Sequence, residues 1–317
     1  MRMFSFAVLT LLAMCMALSA QAAAGATGAA AALVVPASTV PVPATSTTPL
    51  AASKIVLVGD STTAVQGGWG PSFCALHVTS FLSCLNLARG GRSTSNYRAE
   101  GSWEIALKEL RSGGYRQVVV LIQFGHNDQP GKPGRSTDLA TEFPANLRRY
   151  VNEARAAGAL PVLVTPLTRR QFERGQLIDD LAPWAAATRA VARELQVPLI
   201  DLHARSRALV QGMGPVLAMR LAQRPAEPAQ LVAAQSGTTI GKTPAQTAAP
   251  SSAPAAVAKT TTTAATAQDN ASAEPMGQAK LAFDYTHLGA EGADLFAAIV
   301  ADELAQHVPA LRPLLIP

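Results

Sequence analysis

The sequence predicts a doubly wound α/β domain, a five-stranded parallel sheet between two layers of helices. Three observations lead there. Five short apolar runs recur with helical patterns between them. The run Val118-Val119-Val120-Leu121-Ile122 is continuous rather than alternating, as in a strand covered on both faces. Strands that alternate with helices in this way build a parallel sheet.

In chain order, strands are expected at Lys54 to Val58, Leu85 to Ala88, Gln117 to Phe124, Leu160 to Thr165 and Val197 to Asp201. Between the third and fourth, Asp138 to Ala157 is periodic and rich in Arg and Ala, and it stops at Gly158 as a capped helix should. Near the C-terminus, Ala290 to Ala305 is amphipathic, with Leu295, Phe296, Ile299, Val300 and Leu304 on one face. In a doubly wound sheet, ligands bind at the carboxyl ends of the strands. The search for chemistry therefore starts there.

Composition narrows the field further. The chain has 317 residues, 49% of them hydrophobic and 15% charged, with a formal net charge of +5. A disordered chain would need less hydrophobicity and more net charge, and a disulfide scaffold more than 3 Cys in a shorter chain. The basic excess is scattered, densest at Arg148-Arg149 and Arg169-Arg170. It gives nucleic-acid binding no support but suits an anionic carbohydrate.

Residues 1–22 read as a secretory signal: Arg2 gives the charge, Phe4 to Leu18 the apolar run, and Ala20-Gln21-Ala22 the cleavage site. An exported protein, periplasmic or secreted and without a membrane span after cleavage, is expected. Export would place Cys74 and Cys84 in an oxidising compartment, either paired or as two buried thiols. Residues 23–52 are rich in Ala, Pro and Thr, have no charge, and read as a linker.

A second biased stretch, at about 220–279, has no aromatic residue and contains runs such as Thr260-Thr261-Thr262-Thr263. Such a segment cannot offset the roughly 1–2 kcal/mol per residue that ordering a backbone costs. It reads as a disordered insertion in one domain covering 53–317, because patterned sequence resumes at Leu281 and the tail alone is too short for a core.

Four blocks stand at element ends. Gly59-Asp60-Ser61-Thr62 follows the first strand, Ala88-Arg89-Gly90-Gly91-Arg92-Ser93 the second, and Gly125-His126-Asn127-Asp128 the third, while Asp284-Tyr285-Thr286-His287 precedes the last helix. Singly, each has a bland reading as a cap, loop or Asx-turn. Jointly they suit acyl transfer. A serine hydroxyl becomes a nucleophile when an imidazole takes its proton, and the imidazole needs an acceptor to fix its tautomer. Ser61, His287 and Asp284 supply those groups. The oxyanion needs donors placed in advance, and the backbone N–H groups of Ser61 and Gly91 with the Asn127 amide are the candidates.

These blocks resemble those of the SGNH hydrolases, most closely the rhamnogalacturonan acetylesterase-like group. Gly68-Trp69-Gly70, Glu100-Gly101, Trp103 and Gln123-Phe124 agree with the same group. The resemblance implies a flavodoxin-like, five-stranded SGNH hydrolase fold with α/β/α layering. It also implies a Ser61, Asp284, His287 triad and a Ser61, Gly91, Asn127 oxyanion hole. The implied activity is deacetylation of a pectic polysaccharide through an acyl-enzyme, without metal or cofactor, by a monomer.

Arg92, Trp103 and His126 are the expected substrate contacts, although all three also read as orienting or packing residues, and Arg169 and Arg170 are compatible with a galacturonate backbone. The alternatives are an esterase for acetylxylan, a lipid ester or a thioester, and a non-catalytic carbohydrate-binding protein. No HExxH, CxxC, phosphate loop or Gly-x-Ser-x-Gly elbow occurs.

Overall fold

The computed structural model describes residues 51–240 and 283–317. The predicted signal, nearly all of the predicted linker and most of the predicted insertion lie outside the described residues.

Five strands form one parallel sheet: β1 (Ser53–Gly59), β2 (Leu82–Asn86), β3 (Val118–Gln123), β4 (Leu160–Val164) and a short fifth strand, Leu199–Ile200. Their order is β2-β1-β3-β4 and then the fifth strand. β1 is the pivot. Val56 pairs with Leu85 on one side and Val120 on the other, so the chain reverses its winding there and the loops after β1, β2 and β3 share one end of the sheet. β1 is buried along its whole length, which explains its unbroken apolar character.

Helices cover both faces. Ile55, Leu57, Val119 and Leu121 pack beneath α1 (Gly70–Leu76), a helix at Leu202–Leu217 and the C-terminal helix Ala290–His307. On the other face, Val56, Val58, Val120 and Ile122 meet helices at Ser102–Leu110, Glu142–Ala156 and Ala182–Leu195. The expected three-layer architecture is present. A small antiparallel hairpin, Phe172–Glu173 with Gln176–Leu177, was not expected. Strands of two residues have no periodicity to read, and its only signal is the turn at Arg174 and Gly175, both with positive φ.

Cys74, in α1, and Cys84, in β2, form a disulfide with Cα atoms 5.5 Å apart. Of the two readings open in the sequence, pairing is the one the structure adopts.

The near boundary of the insertion is corrected. Residues 220–240 are not a featureless loop: a 3-10 turn covers Ala218–Leu221 and a helix covers Pro228–Gln235, the latter closed by a capping box between Glu227 and Gln230. Leu221 is fully buried in the main core, while Met219, Ala234 and Tyr285 form a satellite cluster. Ala222 bridges to Leu288. The cause is tertiary. Gly289 and Gly292 let this segment lie against the start of the last helix, for a Cβ at Gly292 would stand 2.4 Å from the Leu221 carbonyl oxygen. Composition cannot show such an approach.

Candidate active site

Ser61 sits in the turn that leaves β1. The Asp60 carbonyl accepts from the N–H groups of Thr63 (3.1 Å) and Ala64 (3.0 Å), and the Asp60 side chain accepts from the Thr62 N–H (2.9 Å) and hydroxyl (2.8 Å). Asp60 thus shapes the turn while Ser61 stays half-buried beside it. Burial would raise the Asp60 carboxyl, but His126 and the Thr62 donors hold it below the usual carboxylate range.

The Gly-Trp-Gly sequence that follows has a packing cause. Trp69 Nε1 donates to Gln123 Oε1 (2.7 Å), which also accepts from the Thr63 hydroxyl (2.5 Å). A Cβ at Gly68 would stand 2.5 Å from the Thr63 backbone, and one at Gly70 2.3 Å from the Thr63 carbonyl oxygen. The serine loop is therefore folded back on itself and bolted to the end of β3.

The loops after β2 and β3 are joined as closely. Gly91 has φ +73°, a backbone region that glycine enters without strain. Arg92 Nη1 donates to the Gly90 carbonyl at 2.8 Å, fixing the plane of the peptide whose N–H belongs to Gly91. Asn127 Nδ2 donates to the Arg92 carbonyl at 3.0 Å, which orients the amide and leaves its second hydrogen for another acceptor. Asp128 accepts from the Thr94 N–H (3.1 Å), the Thr94 hydroxyl (2.5 Å) and the Thr137 hydroxyl (2.9 Å). Burial pushes its carboxyl up to about 7 despite these donors.

At the fourth block, His287 Nδ1 donates to Asp284 Oδ2 at 2.6 Å. Asp284 Oδ1 accepts from the N–H groups of Thr286 (2.7 Å) and His287 (2.6 Å). With its proton held at Nδ1, the imidazole keeps a lone pair on Nε2. Burial would raise the Asp284 carboxyl, yet the hydrogen bond from the His287 ring and the backbone donors of His287 and Thr286 hold it below the usual range. Both side chains remain accessible, His287 at 32% and Asp284 at 38%. The block is tied to the serine loop: the Leu288 N–H donates to the Gly67 carbonyl at 2.8 Å, and a Cβ at Gly67 would meet the His287 side chain at 3.0 Å.

Two positioning residues were missed. Arg170 is buried, and its guanidinium donates to the carbonyls of Asp284 (3.1 Å), Thr286 (3.2 Å) and His287 (2.8 Å), clamping the histidine turn from below. Burial pushes it down to about 10. Gln223, inside the predicted insertion, places Nε2 3.4 Å from Asp284 Oδ2.

The expected substrate contacts are corrected. Arg92 (2% exposed) is ion-paired to the buried Glu100. Trp103 (1% exposed) donates to Glu153 at 2.5 Å. His126 (2% exposed) faces Asp60 at 3.4 Å. All three lie within the protein, Arg92 and His126 in loops at the carboxyl end of the sheet and Trp103 between two helices. Arg170 is buried as described, and Arg169 is buried against Asp180.

A parallel sheet covered by helices on both faces, with this set of groups at its switch point, is the arrangement of an ester hydrolase. The family model for the GDSL-like lipase/acylhydrolase family matches residues 57–215, a span that includes Ser61, Gly91 and Asn127 and ends before Asp284. Over 176 residues the chain is 38% identical to rhamnogalacturonan acetylesterase RhgT of Bacillus subtilis (strain 168), covering 53% of this chain and 72% of that protein. Over 170 residues it is 34% identical to the probable rhamnogalacturonan acetylesterase YesY of the same organism, covering 51% and 76%. The crystal structure of the protein YXIM of Bacillus subtilis shares the fold, with a TM-score of 0.54 at 22% identity over 81% of this chain and 57% of that one.

The chain belongs to the GDSL-like lipase/acylhydrolase family of SGNH hydrolases and is a carboxylic ester hydrolase. Within the family it falls in the rhamnogalacturonan acetylesterase-like group.

Proposed function

We propose that this protein is an exported acetylesterase that removes O-acetyl groups from rhamnogalacturonan, with Ser61, His287 and Asp284 as its triad. One observation carries the reading: the bonded Asp284–His287 pair is tied at Gly67 to the loop that presents Ser61. The names of the two Bacillus subtilis relatives support the substrate. The Cys74–Cys84 disulfide supports an oxidising compartment. Among the described residues, no helix is long and apolar enough to cross a membrane.

In this reading His287 Nε2 takes the Ser61 proton as Oγ attacks the acetyl carbonyl carbon. The oxyanion is held by the N–H groups of Ser61 and Gly91 and by the Asn127 amide. Loss of one such donor typically costs about 2.7–4 kcal/mol of transition-state stabilisation. The tetrahedral adduct collapses by breaking the bond to the sugar oxygen, which receives the proton from His287. Water then attacks the acetyl-serine ester and gives its proton to His287, acetate departs, and that proton returns to Ser61 Oγ. Asp284 stabilises the imidazolium formed in each half.

The reading is tested by measuring acetate release from acetylated rhamnogalacturonan, acetylated xylan and p-nitrophenyl acetate. The highest kcat/KM is expected on the first. A preference for xylan would contradict the pectic assignment and keep the esterase.

A further inference from the structure

A second group of charges lies at the same end of the sheet and takes no part in the chemistry above. After β3 the chain turns at Lys132, whose carbonyl accepts from the N–H groups of Arg135 (3.0 Å) and Ser136 (2.9 Å). The Lys132 ammonium donates to the His126 carbonyl at 2.5 Å, on the peptide that leads into Asn127. Arg135 Nη1 stands 3.4 Å from the Gly91 carbonyl oxygen. Each cation therefore touches one of the two loops that carry oxyanion donors.

Neither cation forms an ion pair with a carboxylate among the described residues. Their neighbour Arg169 differs, being paired with Asp180 and donating to Gln129 Oε1 at 2.8 Å. Arg135 Nε is buried without a partner. Burial pushes the Lys132 ammonium down to about 8, and the nearby Arg169 and Arg135 add to this, while Asp60 and Asp180 pull the other way from beyond ion-pair distance. Half-buried cations without counter-charges carry a desolvation cost that folding leaves uncompensated. A bound anion offsets it. The acetyl carbonyl does not need them, since its developing charge has three other donors.

We propose that Lys132 and Arg135 form a subsite for the carboxylate of a uronic acid in the polysaccharide, held beside the ester that Ser61 attacks. This rests on the pectic reading above and deepens it. Arg135 offers a planar fork suited to a carboxylate, and Lys132 offers a point charge. A neutral backbone such as xylan presents nothing to either. The subsite thereby discriminates between substrates that carry the same scissile ester.

The test compares the full chain with Lys132→Gln, Arg135→Gln and the double variant, after thermal melts establish that each folds. Calorimetry measures binding of de-esterified oligogalacturonate at low and physiological salt, and kinetics measure kcat/KM on acetylated rhamnogalacturonan and acetylated xylan. Wild type should bind oligogalacturonate more weakly as salt rises, and the double variant about tenfold more weakly than wild type, as expected for losing charge-assisted hydrogen bonds. The loss on rhamnogalacturonan should exceed that on xylan by a similar factor and fall mainly on KM.

Equal losses on both substrates would mean that the cations only support the Asn127 and Gly91 loops, and would overturn the proposal. So would a wild type that does not bind oligogalacturonate, or that binds inorganic phosphate equally well. If wild type binds oligogalacturonate but does not deacetylate rhamnogalacturonan, the pectic substrate fails while the subsite stands.

Discussion

The Leu288 N–H donates to the Gly67 carbonyl at 2.8 Å, and this one bond fastens the turn carrying His287 to the loop carrying Ser61. Everything around it restricts that contact. Arg170 clamps the histidine turn through three carbonyls, and Trp69 with Gln123 fixes the serine loop. The consequences can be measured residue by residue.

Asp284→Asn keeps the size of the side chain and removes the charge that stabilises the imidazolium in the proposed mechanism. A fall in kcat of about 10⁴-fold is expected, the scale known for this change in serine triads. A fall below about tenfold would show that Asp284 does not serve His287. The folded carboxyl lies below its ordinary value, so its stabilising effect is present above the unfolded value and disappears as pH falls through the folded one. The Tm difference between wild type and variant should therefore shrink from pH 6 to pH 3, a window set around the ordinary carboxyl value of about 3.9.

Arg170→Met removes the side-chain donor from the part-buried carbonyls of Asp284, Thr286 and His287, of which only the last keeps another, the Gln223 N–H at 3.3 Å. Each carbonyl left unsatisfied and buried costs about 1–3 kcal/mol. Tm should drop by several degrees. Because the carbonyls belong to the histidine turn, kcat should fall at least about tenfold even well below the melting range. An unchanged kcat in a destabilised protein would reduce Arg170 to a packing residue.

Gly292→Ala brings a Cβ within 2.4 Å of the Leu221 carbonyl oxygen. Backbone must move, at about 1–3 kcal/mol, and the segment that moves carries Gln223. A lowered Tm accompanied by a lowered kcat is expected in melts and p-nitrophenyl acetate kinetics. Wild-type values for both would show that the 218–223 segment is not held there.

Reduction of Cys74–Cys84 removes a short covalent loop across α1 and β2. Loop entropy assigns it about 3 kcal/mol, which should appear as a lower unfolding midpoint in denaturant with dithiothreitol than without. Equal midpoints would mean that the bridge adds nothing to stability.

Much of this was legible beforehand, for identifiable reasons. β1 and β3 are buried on both faces, so burial wrote an unbroken apolar run into the sequence. Ser61, Gly91, Asn127, Asp284 and His287 each sit at an element end, where turn chemistry restricts the residue type. Legibility failed where tertiary contact outweighs composition. The segment 220–240 reads as disordered because it is Ala- and Gln-rich, but Leu221 reaches the core across two glycines that are distant in sequence. Arg92, Trp103 and His126 read both as sugar contacts and as packing residues, and they are internal here, as is Arg170. Chemical type alone does not tell which way a side chain faces.

The most direct test of the central claim is acetate release by the full chain and by Ser61→Ala, with thermal melts to show that both fold. The variant should melt as wild type does and lose about 10⁴-fold or more of kcat, the scale seen when a serine nucleophile is removed. A folded Ser61→Ala protein that releases acetate at the wild-type rate would contradict the assignment of Ser61 as nucleophile, and with it the triad built on His287 and Asp284.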